Sequence, residues 1–196
     1  MNEKQTLKSK LLPVILTVVA IILDQLSKAL VVKYIPLLYT GEDGAVINIL
    51  GNFFRLIHVR NPAIAFSFGA GFSDNVRKVL FSVIPLIVIA VVFVVYFRHN
   101  EFTKLQRWSI CGILGGGLGN IIDRIFRPAG VVDFLDFKWF GLGTKGFLSW
   151  DRWPTFNIAD SFVVVCGALF LISILVAIVK DSKKAKEAKK NEDESK

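Results

Sequence analysis

The sequence is poor in the residues that build most nucleophilic, metal-binding and disulfide-stapled sites. Of its 196 residues only two are cysteine and two are histidine. Cys111 and Cys166 both fall inside apolar runs, where a free thiol behaves as a small hydrophobe, so neither a disulfide framework nor a thiolate metal site is expected. His58 and His99 are far apart in sequence. No Ser-His or Cys-His pair and no clustered His/Cys/Glu set emerges, and His58 reads as an interface residue rather than a base. An internal repeat and a Pro- or Ser-rich linker are also missing, which argues for one domain without solenoid or tandem organisation. Glycines 112, 115, 116, 117 and 119 follow no strand, so they do not form a nucleotide-binding loop.

What the chain has in excess is apolar sequence. It is 53% hydrophobic with a mean hydropathy of +0.54, too high for an ordinary soluble domain of this size. Four runs carry the excess: Leu11 to Val32, Val79 to Phe97, Trp108 to Ile122 and Asn157 to Val179. Each approaches the roughly 20 residues that span about 30 Å of hydrocarbon. The third is shorter, with Leu105 and Gln106 available to extend it. Asp24 and Lys28 stand where a cleavage site would need small residues, so the first run reads as a retained helix. The fold class expected is an α-helical polytopic membrane protein with four transmembrane helices. Val46 to Val59 is rich in Val, Ile and Phe around a Gly51-Asn52 turn, which predicts a short β-hairpin or small sheet. Gly112 and Gly116 have the spacing that lets membrane helices approach closely.

Charge placement predicts the orientation. Segments 1–10, 98–107 and 180–196 hold 13 of the 24 Lys and Arg residues, and the denser basic segments belong in the cytoplasm. Both termini are therefore expected inside, with the long segments 33–78 and 123–156 outside. The net charge of +8 requires no nucleic-acid partner: seven of the 24 basic residues lie in the Lys/Glu-rich end from Lys180, interspersed with five acids. Residues 1–180 form the expected membrane domain, and 181–196 a basic, disordered cytoplasmic tail touching anionic lipid. The outer segment Ile125 to Thr155 is read as a loop dense in aromatics, suited to the headgroup interface as a belt, a lid over a lipid substrate, or both.

The polar residues then fall on one side. Asp24 is 13 residues into the first run, roughly 20 Å from its inner end at about 1.5 Å per residue. Asn120 and Asp123 end the third run, Asn157 and Asp160 open the fourth, and Asn61 and Asp133 lie in the outer segments. Asn120, Asp123 and Arg124 stand at i, i+3 and i+4 on one helical face, as do Asn157, Asp160 and Ser161. Asp24 with Lys28 is spaced as an i, i+4 ion pair, and Asp123 has Arg124 beside it. Asp133 and Asp160 have no cationic neighbour in sequence. Two such carboxylates brought together share a proton, one acting as base on a water and the other as acid toward a carbonyl oxygen. A small transporter or channel that uses the boundary acids for ions or protons is the competing class, although midplane acids and broken helices would suit it better.

Five blocks occur in one order: Asp24-Gln25-Leu26-Ser27-Lys28, Asn61 to Phe66, Gly119 to Arg124, Val131 to Phe134 and Phe156 to Ser161. In that order the chain resembles the lipoprotein signal peptidases (signal peptidase II), bacterial inner-membrane aspartyl peptidases. The resemblance spans all but the tail. It implies four membrane helices, an extracytoplasmic β-cradle and an aspartic dyad. It further implies cleavage of the signal peptide from prolipoproteins just before a diacylglyceryl-modified cysteine, without metal or cofactor, by an enzyme expected to act as a monomer among membrane lipids. Carried onto this sequence, the dyad is Asp133 and Asp160, with either one as base. Asn61, Asn120, Asp123, Arg124 and Asn157 match the residues that position substrate or support the site. Asp24 and Lys28 match the first motif in a structural role. One block departs: the family's Asn-x-Gly-Ala-Ala-Phe is here Asn61-Pro62-Ala63-Ile64-Ala65-Phe66, and alanine lacks glycine's access to positive φ.

Overall fold

Four helices and a three-stranded antiparallel sheet make up the computed structural model, which describes residues 6–62, 71–73, 76, 79–139 and 151–194. Helix α1 spans Leu7–Tyr34 and is capped by Thr6, whose hydroxyl accepts from the Ser9 N–H. Helix α2, Ile84–Arg98, follows a π turn at Val79–Val83. Helix α3, Lys104–Phe126, starts with a capping box in which the side chains of Thr103 and Gln106 each satisfy the other's backbone N–H, the reciprocal arrangement that anchors a helix start. Helix α4 runs from Ile158 to Glu194.

All four expected helices form; α1, α3 and α4 are longer than their apolar runs, whereas the second run is divided between the π turn and α2. Leu105 and Gln106 extend α3 as the sequence allowed. By length and composition α1, α2 and α4 can cross a membrane, whereas α3 is not among the candidates. Its position explains why. α3 packs against each of the other three helices, so glycines and polar groups serve it better than an apolar surface. Gly112 faces Cys166, Gly115 faces Thr17 and Ala20, and Gly116 faces the Ala159 carbonyl and Val163. The close contact predicted from the Gly112–Gly116 spacing is thus made against α4, where a Cβ would collide with backbone.

Composition predicts disorder for the basic tail, yet α4 continues through residues 181–194. Lys, Ala and Glu dominate there and are strong helix formers, and residues 181–187 are exposed.

Strands β1 (Val46–Leu50) and β2 (Phe54–Asn61) form the expected hairpin, with Gly51 at φ 53° in its turn. Strand β3 (Val131–Phe137) joins the far side of β2, giving the order β1-β2-β3. This corrects the reading of Ile125 to Thr155 as a loop. Buried Val131, Val132, Asp133 and Phe134 show no in–out alternation, so period two could not reveal the strand. Asn61 pairs with Val131 and Val59 with Asp133, across a β-bulge between Leu56 and Val59. Gly130, at φ 102°, enters β3 where a side chain would strike the Asn61 carbonyl. The sheet sits on the bundle through Val31, Ile35, Val132 and Phe134. Of the departing block, Ala63 to Phe66 lie outside the described residues.

The opposite end of the bundle is closed by polar contacts. Buried Arg107 donates to the carbonyls of Tyr96 and His99, and the Tyr96 hydroxyl donates to the Lys10 carbonyl.

Candidate active site

The start of α4 supplies the central residue. Asn157 precedes the first helical turn, and its Oδ1 accepts from the Asp160 N–H at 3.0 Å. The Asp160 carboxylate accepts in return from the Asn157 N–H at 3.1 Å. This is a capping box built from Asn and Asp. The Asn157 amide nitrogen then reaches outward, donating to Asp133 Oδ1 at 2.7 Å and to Asn120 Oδ1 at 3.1 Å. One residue therefore holds both acids.

The remaining carboxylate oxygens are occupied in the same way. Asp133 Oδ2 accepts from the Asn61 side chain at 3.1 Å, and Asp160 Oδ1 from the Asn120 side chain at 2.7 Å. β3 delivers Asp133, the end of β2 delivers Asn61, and the last turns of α3 deliver Asn120. Asp133 is 3% exposed whereas Asp160 is partly open. Burial pushes Asp133 up to about 7, and the negative charge of Asp160 adds to the rise. The bonds from Asn61 and Asn157, together with the charge of Lys28, pull the other way. A carboxyl so placed holds its proton near neutrality.

Beside the pair lies a buried ion chain. Lys28 bridges Asp24 at 2.8 Å and Asp123 at 3.2 Å, all three wholly buried, and its ammonium also donates to Asn120 Oδ1 at 2.9 Å. Asp24 accepts from the Ala159 N–H at 3.0 Å, and Asp123 from the Val132 N–H at 3.0 Å. The chain therefore ties α1 and α3 to the starts of α4 and β3. Such groups persist in an apolar bundle because every one of them is paired.

The Asp24–Lys28 ion pair is present as its spacing predicts. Asp123 pairs with Lys28 and Arg127 rather than with Arg124. The i, i+4 partner won over the adjacent residue because successive side chains leave a helix about 100° apart. Arg124 instead lies in the field of Asp160, Asp133 and Asp123, and among the described residues no hydrogen bond or ion pair engages it. His58 is not at an interface. It is 4% exposed, and its Nδ1 meets the Ile35 carbonyl at 2.9 Å. Burial holds its pKa below the ordinary value, so the ring is neutral and donates from Nδ1. Gln25 escaped sequence reading: its amide donates to Asp24, Asp123 and the Gly119 carbonyl. Its place inside the Asp24–Lys28 block was the available signal. Among the described residues no group of three His, Cys, Asp or Glu side chains converges as metal ligands.

Fold and site together define a helical membrane protein with a carboxylate pair at one end of its bundle. The profile described as Signal peptidase (SPase) II matches residues 16–176, and the chain belongs to the signal peptidase II family. It is 43% identical to the lipoprotein signal peptidase of Treponema denticola, over 93% of this chain and 98% of that protein. The lipoprotein signal peptidase of Borrelia hermsii is 47% identical over 84% of this chain and 89% of its own length. Among solved structures, a bacterial membrane enzyme determined by the in meso method at 2.3 Å resolution shares the fold. Its TM-score is 0.65 at 23% identity, covering 94% of this chain and 95% of that one.

Proposed function

We propose that this peptidase removes the signal peptide from prolipoproteins as an aspartic endopeptidase, cleaving before the diacylglyceryl-modified cysteine. The observation that carries the reading is Asn157, which hydrogen-bonds Asp133 through its amide and Asp160 through its backbone. Asp160 is the base: it takes a proton from a water whose oxygen attacks the scissile carbonyl carbon. Asp133 is the acid and gives its proton to the carbonyl oxygen, so no oxyanion develops in a poorly solvated site. Collapse of the tetrahedral intermediate returns a proton through Asp160 to the departing cysteine nitrogen. The C–N bond breaks, and Asp133 regains its proton from the new carboxyl group. Arg124, which no hydrogen bond or ion pair engages among the described residues, engages substrate, and Asn61 and Asn120 position the acids.

The site end of the bundle is the outer face of the bacterial cytoplasmic membrane, with both termini inside and residues 1–180 as the membrane domain. Four crossings, including α3, follow from that arrangement. The enzyme acts as a monomer among membrane lipids. No observation favours the transport reading: the acids gather at one end of the bundle, and the relatives named above are signal peptidases. The test is cleavage of a purified lipidated prolipoprotein. Asp133→Asn and Asp160→Asn should each leave no measurable product above background, and near wild-type cleavage by either overturns the mechanism.

A further inference from the structure

A second buried carboxylate cluster lies on β3, three residues beyond Asp133. Asp136 is 2% exposed and is held from two directions. Arg55, its cross-strand partner on β2, binds Oδ2 at 2.7 Å through Nε and 2.6 Å through Nη2. Arg152 binds Oδ1 through Nε at 2.7 Å and the Asp136 carbonyl at 3.2 Å. Its remaining nitrogen donates to the carbonyl and side chain of Asn52 at 3.1 Å each.

These two arginines do different things. Arg55 joins strands that the β2–β3 ladder already holds. Arg152 belongs to the stretch that leads into α4, and that stretch is tied to β3 by few backbone bonds. Trp153 N–H donates to the Phe137 carbonyl at 2.9 Å. The Phe156 carbonyl accepts from Phe134 and Leu135, and Phe156 N–H donates to Leu135 at 3.2 Å. Phe156 also stacks on Phe137. The next residue is Asn157. The path of residues 152–156 along β3 therefore sets where Asn157 meets Asp133 and where Asp160 follows.

We propose that Arg152 is a positioning residue for the reaction: by anchoring residues 152–156 to Asp136 and the β1–β2 turn, it fixes the separation of the two catalytic acids. The inference rests on the dyad reading above. The geometry explains why a charge-assisted, forked contact is used there. A bidentate guanidinium fixes direction as well as distance, and an offset of about 1 Å at reacting groups costs roughly a hundredfold in rate.

The experiment compares Arg152→Ala, Arg152→Lys and Arg55→Ala in the full chain, with a lipidated prolipoprotein as substrate and melting temperature followed in parallel. Arg152→Ala should lose about ten- to a hundredfold in kcat with KM changed less than about threefold. Arg152→Lys should recover part of that loss, whereas Arg55→Ala should lower the melting temperature but keep kcat. The pH profile separates positioning from mere destabilisation. Moving Asn157 and Asp160 away removes the bond from Asn157 that lowers Asp133, but it weakens the two larger causes that hold Asp133 up, its burial and the Asp160 charge. The alkaline limb should then move to lower pH in Arg152→Ala, which loss of folded enzyme alone does not produce. If Arg152→Ala does not fold, the kcat and alkaline limb of Arg152→Lys decide. Wild-type kcat and an unmoved limb in the folded Arg152 variants, or equal losses for Arg55→Ala, overturn the proposal. Failure of the dyad reading shows differently, as cleavage by Asp133→Asn or Asp160→Asn.

Discussion

Asn157 uses both its backbone and its side chain on the two acids, so its removal reaches each of them. Asn157→Ala should lower kcat by about a hundredfold, read by steady-state cleavage, because Asp133 loses a 2.7 Å donor and the α4 start loses its cap. Asp133 also sets a pH limit. Its carboxyl is raised to about 7 and in the proposed mechanism works protonated, so kcat should be sustained below that value and fall as pH rises through it. A pH–rate profile with no alkaline limb near neutrality would contradict the acid role of Asp133. At this scale the sequence was informative where spacing was local. Asn157 and Asp160, three apart, share a helical face, and Asp24 with Lys28 is a one-turn pair. It was silent on the Asn61–Asp133 contact, which spans 72 positions and exists only through strand pairing.

Helix α3 shows what an element contributes beyond its residues. Its glycines let α1 and α4 come close enough for Lys28 to reach Asp123 and for Asn120 to reach Asp160. Gly116→Val should place a branched side chain against the Ala159 carbonyl and Val163 and push α4 outward. Overpacking of this kind costs about 1–3 kcal/mol, so a lower melting temperature in detergent and a reduced kcat should appear together. The apolar runs announced three helices directly, and glycine spacing announced a close contact for α3 without naming α4 as its partner. β3 stayed hidden because Val131, Val132, Asp133 and Phe134 are all buried, leaving no alternation to read. Its identity depends on β2 and on residues 152–156 covering it, and neither constraint is local.

For the whole molecule, surface and interior have exchanged their usual characters. Val164, Leu171 and Leu175 of α4 are 68%, 62% and 62% exposed, as suits contact with lipid, while Asp24, Lys28 and Asp123 are sealed inside. Lys28→Met should therefore leave two buried carboxylates short of their shared cation. Removing one member of a buried pair costs about 3–5 kcal/mol, and thermal unfolding should show a loss of that order along with weakened activity. Charge asymmetry between segments predicts an orientation but not this interior chain, because its members come from helices about 95 residues apart in sequence. Reporter fusions at the two ends should both register in the cytoplasm, and an outward-facing terminus would reverse the placement of the site.

The cap that Asp24 gives to the Ala159 N–H also has a meaning in time. The ribosome makes Asp24, Asn61, Asn120 and Asp133 before it reaches Asn157 and Asp160. Helix α4 follows the other three helices in the chain, and its first turn is met by a carboxylate already made as part of the first helix. No nascent fragment ending before residue 157 carries a working acid pair. On the proposed mechanism the nascent chain stays inert until the start of α4 has been made.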